Sequence, residues 1–501
     1  MTAKEVGEGV KAPKLDTLRK VIPGHCFQKS LGWSVVYLVL DVAVVVAAVV
    51  LFVGLFGLPS SWGGEGVSST SAGGEGECGT GICGGEGGVS GAEAGGEMDG
   101  IVSLFGGLVK RWEEIAGGAR RGVRSVAEQS GVGMGVLRAV GVCVYTAVAG
   151  FYMWCLFVVA HDCGHGTFSA YTWLNDAVGN VVHGGLLVPY WPWRLSHRRH
   201  HLHHNHVDDD YSFPWWVRGI IPSGPVASEA ASKPSNAAKE ESSSSSASSS
   251  TAAAAEPGMM ADGGPPTPWP KHGHPLTVSW FRPVFPIIGW ALYLGGLLED
   301  GNHYIPIQSQ RLWRNAPKGE ALRAVISTGF CAAWGYAIWS ACGGSWLNVG
   351  IMYGLPWVFF SFCLVTVTYL QHHGEGSTKV YDDSTWSFTP AAFETVDRTY
   401  GLGIDTLSHH ITDGHVVHHI FPFAIPHYHL KDATLALQQH LADTETKEIY
   451  QHESTYDWAL RIFVYLYKYG FYATLVSDSV PPHKPLPGPG VIPHHPKFHN
   501  E

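Results

Sequence analysis

Apolar residues along this chain fall into long runs parted by Gly- and Ser-rich stretches, the pattern of membrane spans with polar connections rather than of soluble domains. Residues 33–58, with the valine-rich run VAVVVAAVVLFVGLFGL, are long enough to cross a hydrocarbon layer roughly 30 Å thick as a helix. Asp41 inside that run is costly in lipid, so it is expected to face other helices or to mark the polar end of the span. A second run, 139–160, ends at His161, and two more, 322–341 and 347–370, are joined by a connection that allows only a tight turn. The runs 178–190 and 284–298 are too short to cross, and the first contains Asn180, His183 and Pro189; both are predicted to be interfacial, the first with a re-entrant path as the alternative. The segment 458–476, rich in Tyr and Phe, is predicted to lie on the membrane surface. Residues 101–115 read as an interfacial amphipathic helix, and 59–100 and 222–270 as disordered low-complexity stretches.

Four crossings in two hairpins put residues 1–32, 161–321 and 371–501 on one side. The first hairpin is 33–160, carrying a Gly-rich insertion at 59–133, and the second is 322–370. Six Lys/Arg before the first span and the arginines near 194–199 mark the shared side as cytoplasmic. The expected fold is an all-α integral membrane protein whose helical cap carries the polar chemistry. The first 30 residues have Lys4, Lys11, Lys14, Arg19 and Lys20 but no early apolar region, unlike a secretory signal, and Glu5, Glu8 and Asp16 are unlike a transit peptide.

Charged residues make up 15% of the chain and aromatics 12%, and the net charge of -10 forms no basic patch, which argues against nucleic acid as a partner. The nine cysteines show no framework; Cys78 and Cys83 sit in a low-complexity loop, and Cys143, Cys155, Cys331 and Cys363 fall in apolar runs as small packing residues.

The 28 histidines change the picture because they cluster. His161 and His165 are four apart, hence on one face if the helix continues past Ala160; His197, His200 and His201, and again His415, His418 and His419, recur at i, i+3 and i+4. Eight converging imidazoles exceed the four ligands of a tetrahedral site and suit two metals, although zinc, copper, iron and nickel all accept imidazole. Lone histidines are by default surface or interfacial residues, the expectation for His183, His303, His440, His494 and His495. His203, His204 and His206 are either supports for the ligands or solvated loop residues, the second reading preferred.

The stretches HDCGHGTFS (161–169), LLVPYWPWRLSHRRHH (186–201), TYLQH (368–372), TVDRTYG (395–401) and HHITDGHVVHHIFPFAIPHYHL (409–430), with IPGHCFQKS (22–30), resemble the methyl-end (omega-3/omega-6) branch of the membrane fatty acid desaturases. The resemblance implies two irons held by nine histidines, O2 as co-substrate and an acyl lipid as substrate, phospholipid-linked or an acyl-CoA. It places the ninth ligand at His372, with His373 as its rival, and Thr368 where stearoyl-type relatives carry an asparagine near one iron. Asp162, Asp208, Asp209 and Asp413 are candidates to orient ligands, Asp162 and Asp413 foremost. No haem-binding HPGG-like motif is present, so the resemblance implies free cytochrome b5 and its reductase as electron donors at the endoplasmic reticulum, with ferredoxin in a plastid as the lesser alternative.

Within the branch, HDCGH, IPHYHL and DGNHYIP (300–306) resemble omega-3 enzymes, whereas HRRHH resembles the omega-6 (delta-12) type. The expected reaction is a cis double bond toward the methyl end of a C18–C20 unsaturated acyl chain, leaning omega-3, with a delta-12 or bifunctional enzyme as alternatives. Outside the branch stand the histidine-box hydroxylases and a non-enzymatic zinc-binding membrane protein; the latter would place His or Asp within its spans rather than just beyond them.

Overall fold

The computed structural model describes residues 12–64, 95–206, 209–210, 220–222, 282–297, 301–314, 316, 319–374, 378–442, 444, 446–468 and 473–476. Among these, four helices are long and apolar enough to cross a membrane, spanning Leu31–Trp62, Met134–His165, Glu320–Ala341 and Trp346–Gln371. A short α1 (Leu15–Val21) precedes α2 (Leu31–Phe56), whose first turn is capped by the Ser30 hydroxyl accepting from Trp33 N–H. Asp41 on α2 is buried and accepts a hydrogen bond from His409 Nε2 at 2.8 Å, so it faces protein as expected.

The region after α2 corrects one expectation. Residues 59–64 form a 3₁₀ turn, and α3 (Gly95–Ser130) runs for 36 residues, well beyond 101–115 and through the C-terminal part of the stretch read as a Gly-rich insertion. It lies along α2: Trp112 fills the space beside Gly54, where an added Cβ would come within 2.9 Å of the indole, and Ala116 is buried beside it. The part of the insertion between 65 and 94 lies outside the described residues, as does nearly all of 222–270.

Helix α4 (Met134–His165) carries on five residues past Ala160 and stops at Gly166, whose φ of 73° closes the helix as only a glycine readily does. Then come α5 (Thr172–Gly185), α6 (Tyr190–Leu202), α7 (Phe285–Leu294), the single turn α8 (Arg311–Arg314) and α9 (Glu320–Ala341). Gly343 and Gly344, both with positive φ, make the tight turn into α10 (Trp346–Val349), which runs on through a π turn at Gly350–Gly354 into α11 (Leu355–Gln371). Helix α4 is central, packed between α2 and α11, while α9 lies against α5 and α6. Gly150 lets α4 and α11 approach, since a Cβ there would stand 2.5 Å from Pro356 O.

The segment 284–298 is a 10-residue helix packed on α11 with Phe285 and Leu294 fully buried. Past α11 come the short helices α12 (Phe388–Ala392), α13 (Ile404–Leu407) and α14 (His415–Ile420), then α15 (Leu430–Ala442) and α16 (Trp458–Lys468). The all-α expectation needs correction: β1 (Ile220–Pro222), β2 (Thr378–Tyr381) and β5 (Ala473–Val476) form a parallel sheet in the order β1-β5-β2, and β3 (Val396–Thr399) pairs in parallel with β4 (Gln451–Ser454). These strands are three or four residues long, too short for periodicity to reveal, and their partners are distant in sequence. The apolar segment 458–476 accordingly divides into a helix and a strand instead of forming one surface segment.

Candidate metal centre

Two histidine groups form where α4, α6, α11 and α14 end. In the first, His161 and His165 on α4, His197 and His201 on α6, and His418 on α14 bring their ligand atoms within 4.8 Å of one another. The i, i+4 spacing on both long helices aims each pair the same way. His161 Nε2 lies 3.0 Å from His165 Nε2 and 2.8 Å from His197 Nε2, and the last two are 3.1 Å apart. His201 Nε2 stands 3.0 Å from His197 Nε2 and 3.1 Å from His418 Nε2. A hydrogen bond satisfies a pair of nitrogens, not a triangle of them. One central cation satisfies all: ligands at right angles with metal–nitrogen bonds of about 2.1 Å lie roughly 3 Å apart.

The second group is His200, His204, His372 and His419, again with ligand atoms within 4.8 Å. His372 caps the C-terminus of α11, with its Nδ1 3.0 Å from His204 Nε2 and its Nε2 3.1 Å from His415 Nε2. His415 therefore joins this group through His372. All nine histidines singled out as ligands meet at the two groups, and His204 comes in beside them, buried and not left in solvent. His373 turns away, its Nδ1 donating to Tyr369 O at 2.8 Å and its ring stacked on Tyr369. Burial, reinforced by the neighbouring imidazoles, pushes His197, His201, His204, His372, His418 and His419 well below the usual histidine range, and His415 to about 3. The neutral imidazole that results is the form that binds a cation.

One carboxylate that holds these rings, Asp210, is not among those the sequence suggested. His200 Nδ1 donates to Asp210 Oδ1 at 2.8 Å, which leaves Nε2 for a metal. Asp209 lies 3.8 Å from both His203 and His206, and Asp208 is outside the described residues. Asp413 accepts from His410, not from a ligand candidate. Asp162 accepts from His427 N–H at 3.0 Å and from His427 Nδ1 at 2.8 Å, tying the first box to the 425–430 strap; its other oxygen is 4.0 Å from His161 Nδ1. His183 and His303, expected at a surface or interface, are fully buried, one stacked on Phe157 and the other beside Tyr293. His440 is half-buried on α15, and His494 and His495 lie outside the described residues.

The dipeptide Asp397-Arg398 on β3 clamps the second group from two directions. Asp397 Oδ1 accepts Val416 N–H at 2.8 Å at the start of α14, while Oδ2 accepts Tyr450 O–H at 2.5 Å; burial pushes this carboxyl up to about 7. Arg398, with no exposed surface, donates to Leu370 O at 2.8 Å and His373 O at 2.7 Å, closing the C-terminus of α11 beside His372, and pairs with Glu453. In the sequence TVDRTYG carries the family resemblance but no role for these two residues, because their partners Val416, Tyr450, Leu370 and Glu453 are distant along the chain.

A narrow cavity of about 90 Å³ reaches both groups. Its apolar wall is Trp154, Phe157 and Val158 of α4, Trp193 of α6, Trp290 and Tyr293 of α7, and Leu364 and Val365 of α11; its polar end is His161, His197, His200, His372, His415 and His419. Thr368 also lines it, with its hydroxyl turned back onto Leu364 O at 2.8 Å. Tyr293 O–H and Ser196 Oγ share a hydrogen bond of 2.8 Å, which fixes α7 over α6 next to His197. The residues fit a pair of metal ions: all-nitrogen donor sets, neutral and buried, opening on a small apolar cavity.

The family model for fatty acid desaturases matches residues 138–218 and 255–452, more than half of the chain. An omega-3 fatty acid desaturase of Caenorhabditis elegans is 30% identical over 464 residues, 92% of this chain and 81% of the relative. A delta(12) fatty acid desaturase of the same organism is 32% identical over 315 residues, 62% of this chain and 69% of the relative. An acyl-lipid omega-3 desaturase (cytochrome b5) of the endoplasmic reticulum in Arabidopsis thaliana is 33% identical over 300 residues, 58% of this chain and 62% of the relative. With its histidine groups and apolar helices, the chain belongs to the fatty acid desaturase family, as an oxidoreductase of the methyl-end branch.

Proposed function

We propose that this chain is an O2-dependent di-iron desaturase that places a cis double bond at the omega-3 position of a C18–C20 unsaturated acyl lipid. It works as a multi-pass protein of the endoplasmic reticulum membrane, its four spans in two hairpins and its histidine groups in a cap on the cytoplasmic side. Free cytochrome b5 and its reductase supply the electrons. The observation that carries this reading is the apolar cavity that ends on two histidine groups. His161, His165, His197, His201 and His418 would hold one iron; His200, His372, His415 and His419 would hold the other, beside His204.

Two irons, given O2 and two electrons, supply an oxidant able to take hydrogen from an unactivated methylene, chemistry that zinc lacks. Two vicinal hydrogens leave the chain and, with two electrons and two protons, O2 leaves as two waters. The protein's part is positional. Trp154, Phe157 and Trp290 exclude water from the slot and keep the acyl chain against the imidazoles, so that one pair of carbons is presented. Asp210 and the Arg398 clamp keep the rings of the second group fixed while the chain enters.

A delta-12 specificity is the second reading, favoured by the delta(12) relative and by HRRHH. Expression in yeast fed in turn with oleic and linoleic acid, followed by fatty-acid profiling, separates the two. Alpha-linolenic acid formed only from supplied linoleate is the expected result. Linoleic acid formed from oleate moves the enzyme to the delta-12 class, and no new acid from either overturns the reading.

A further inference from the structure

The HRRHHLHHNH stretch contains a histidine that the nine-ligand set leaves out. Beyond α6 the chain turns back at Asn205, whose φ of 57° is left-handed. Asp210 Oδ2 accepts Asn205 N–H at 2.8 Å, and Asn205 Nδ2 donates to Lys379 O at 2.9 Å, so the turn is held on both sides. This carries His204 inward to 2% exposure, and its backbone carbonyl is held in turn by Trp386 Nε1 at 2.9 Å. His204 Nδ1 lies 2.7 Å from Ala391 O. A carbonyl oxygen only accepts, so Nδ1 carries the proton and Nε2 is left with its lone pair. That lone pair faces His372 Nδ1 at 3.0 Å, which must then be the protonated nitrogen of His372. His372 Nε2 is thereby deprotonated and aimed at the second group, 3.1 Å from His415 Nε2.

We propose that His204 is a positioning residue for the second iron: a relay from Ala391 O through His204 to His372 fixes the tautomer and ring angle of His372 and raises its basicity toward the metal. The relay rests on the di-iron reading above, and it is a different role from binding the ion through His204 Nε2, which the same cluster would otherwise allow. The two roles differ in which nitrogen of His372 takes the ion. Bound through Nε2, His372 has His415 as its neighbouring ligand and His204 behind it; bound through Nδ1, it would have His204 beside it and would turn Nε2 away.

The test uses full-length protein purified in detergent and loaded with iron-57, with metal content followed during titration by a chelator and Mössbauer spectra recorded on each sample. Wild type should hold two irons per chain. His204→Ala should keep the first ion, which also reports an intact fold, and bind the second about 10–100-fold more weakly. His204→Gln, whose side-chain carbonyl accepts the His372 proton, should restore most of that affinity and the wild-type spectrum. His204→Ala that retains both ions at wild-type affinity overturns the relay. His204→Gln that loses the second ion as readily as His204→Ala also overturns it, because the ring itself is then the ligand. Wild type without iron would overturn the di-iron reading, and the relay with it.

Discussion

The two histidine groups are a few ångströms apart but are built differently. The first stands on long helices: four of its five imidazoles are i, i+4 pairs on α4 and α6, and the fifth comes from α14. Backbone hydrogen bonds within each helix fix those rings. The second draws more on ends and turns: His372 caps α11, His204 lies in the turn after α6, and His415 and His419 come from the six-residue α14, with His200 on α6. Its geometry is therefore delegated to Asp210, Asp397, Arg398 and the carbonyl of Ala391. Long helices set the first group; the second, although His200, His415 and His419 are also on helices, leans more on side chains outside them. The second should be the more easily lost, through residues that never touch it.

The largest effect expected on that account is from Arg398→Ala. It strands the α11 carbonyls and removes the partner of Glu453, at a cost of about 3–5 kcal/mol for breaking a buried charged pair. Thermal unfolding should fall accordingly, and metal analysis should show the second iron lost first. Next, Asp210→Ala should weaken the second iron about 10–100-fold in a chelator titration and leave the first in place. Equal loss from both groups would break the comparison.

Gly164→Ala tests the helix-built side. A Cβ there would lie 2.7 Å from the Trp193 ring, which stacks on His197, so about 1–3 kcal/mol of stability should go, with the first iron more affected than the second. The smallest effect is predicted for Asp397→Asn. The carboxyl is already pushed up to about 7, so the neutral amide keeps an acceptor for Val416 N–H and gives up the one for Tyr450 O–H; a loss of about 1 kcal/mol in melting experiments is expected, against about 1–3 kcal/mol for Asp397→Ala.

The same division explains what could be read in advance. The spans, the continuation of α4 into the first box, and the pairing of His161 with His165 and His197 with His201 follow from local periodicity. In sequence His204 reads as a solvated loop residue before a support for the ligands, because its burial depends on one left-handed residue, Asn205, and on Asp210 closing the turn. Asp413 is one of the two carboxylates favoured from sequence, yet it serves His410 three residues away, while Asp210, not singled out there, holds His200. His183 and His303 were given the default for lone histidines, and only the packing of Phe157 and Tyr293 around them shows them to be buried aromatic-like residues. The parallel strands join segments as distant as β2 and β5, where no spacing rule applies.

The central claim is that two all-histidine sites hold a redox pair, and the most direct measurement is metal analysis with Mössbauer spectroscopy on the purified full-length chain. The account predicts two irons per chain in nitrogen-rich surroundings, with partial chelation removing one before the other. Zinc in both sites, or a single ion that no histidine group but the first requires, would contradict it.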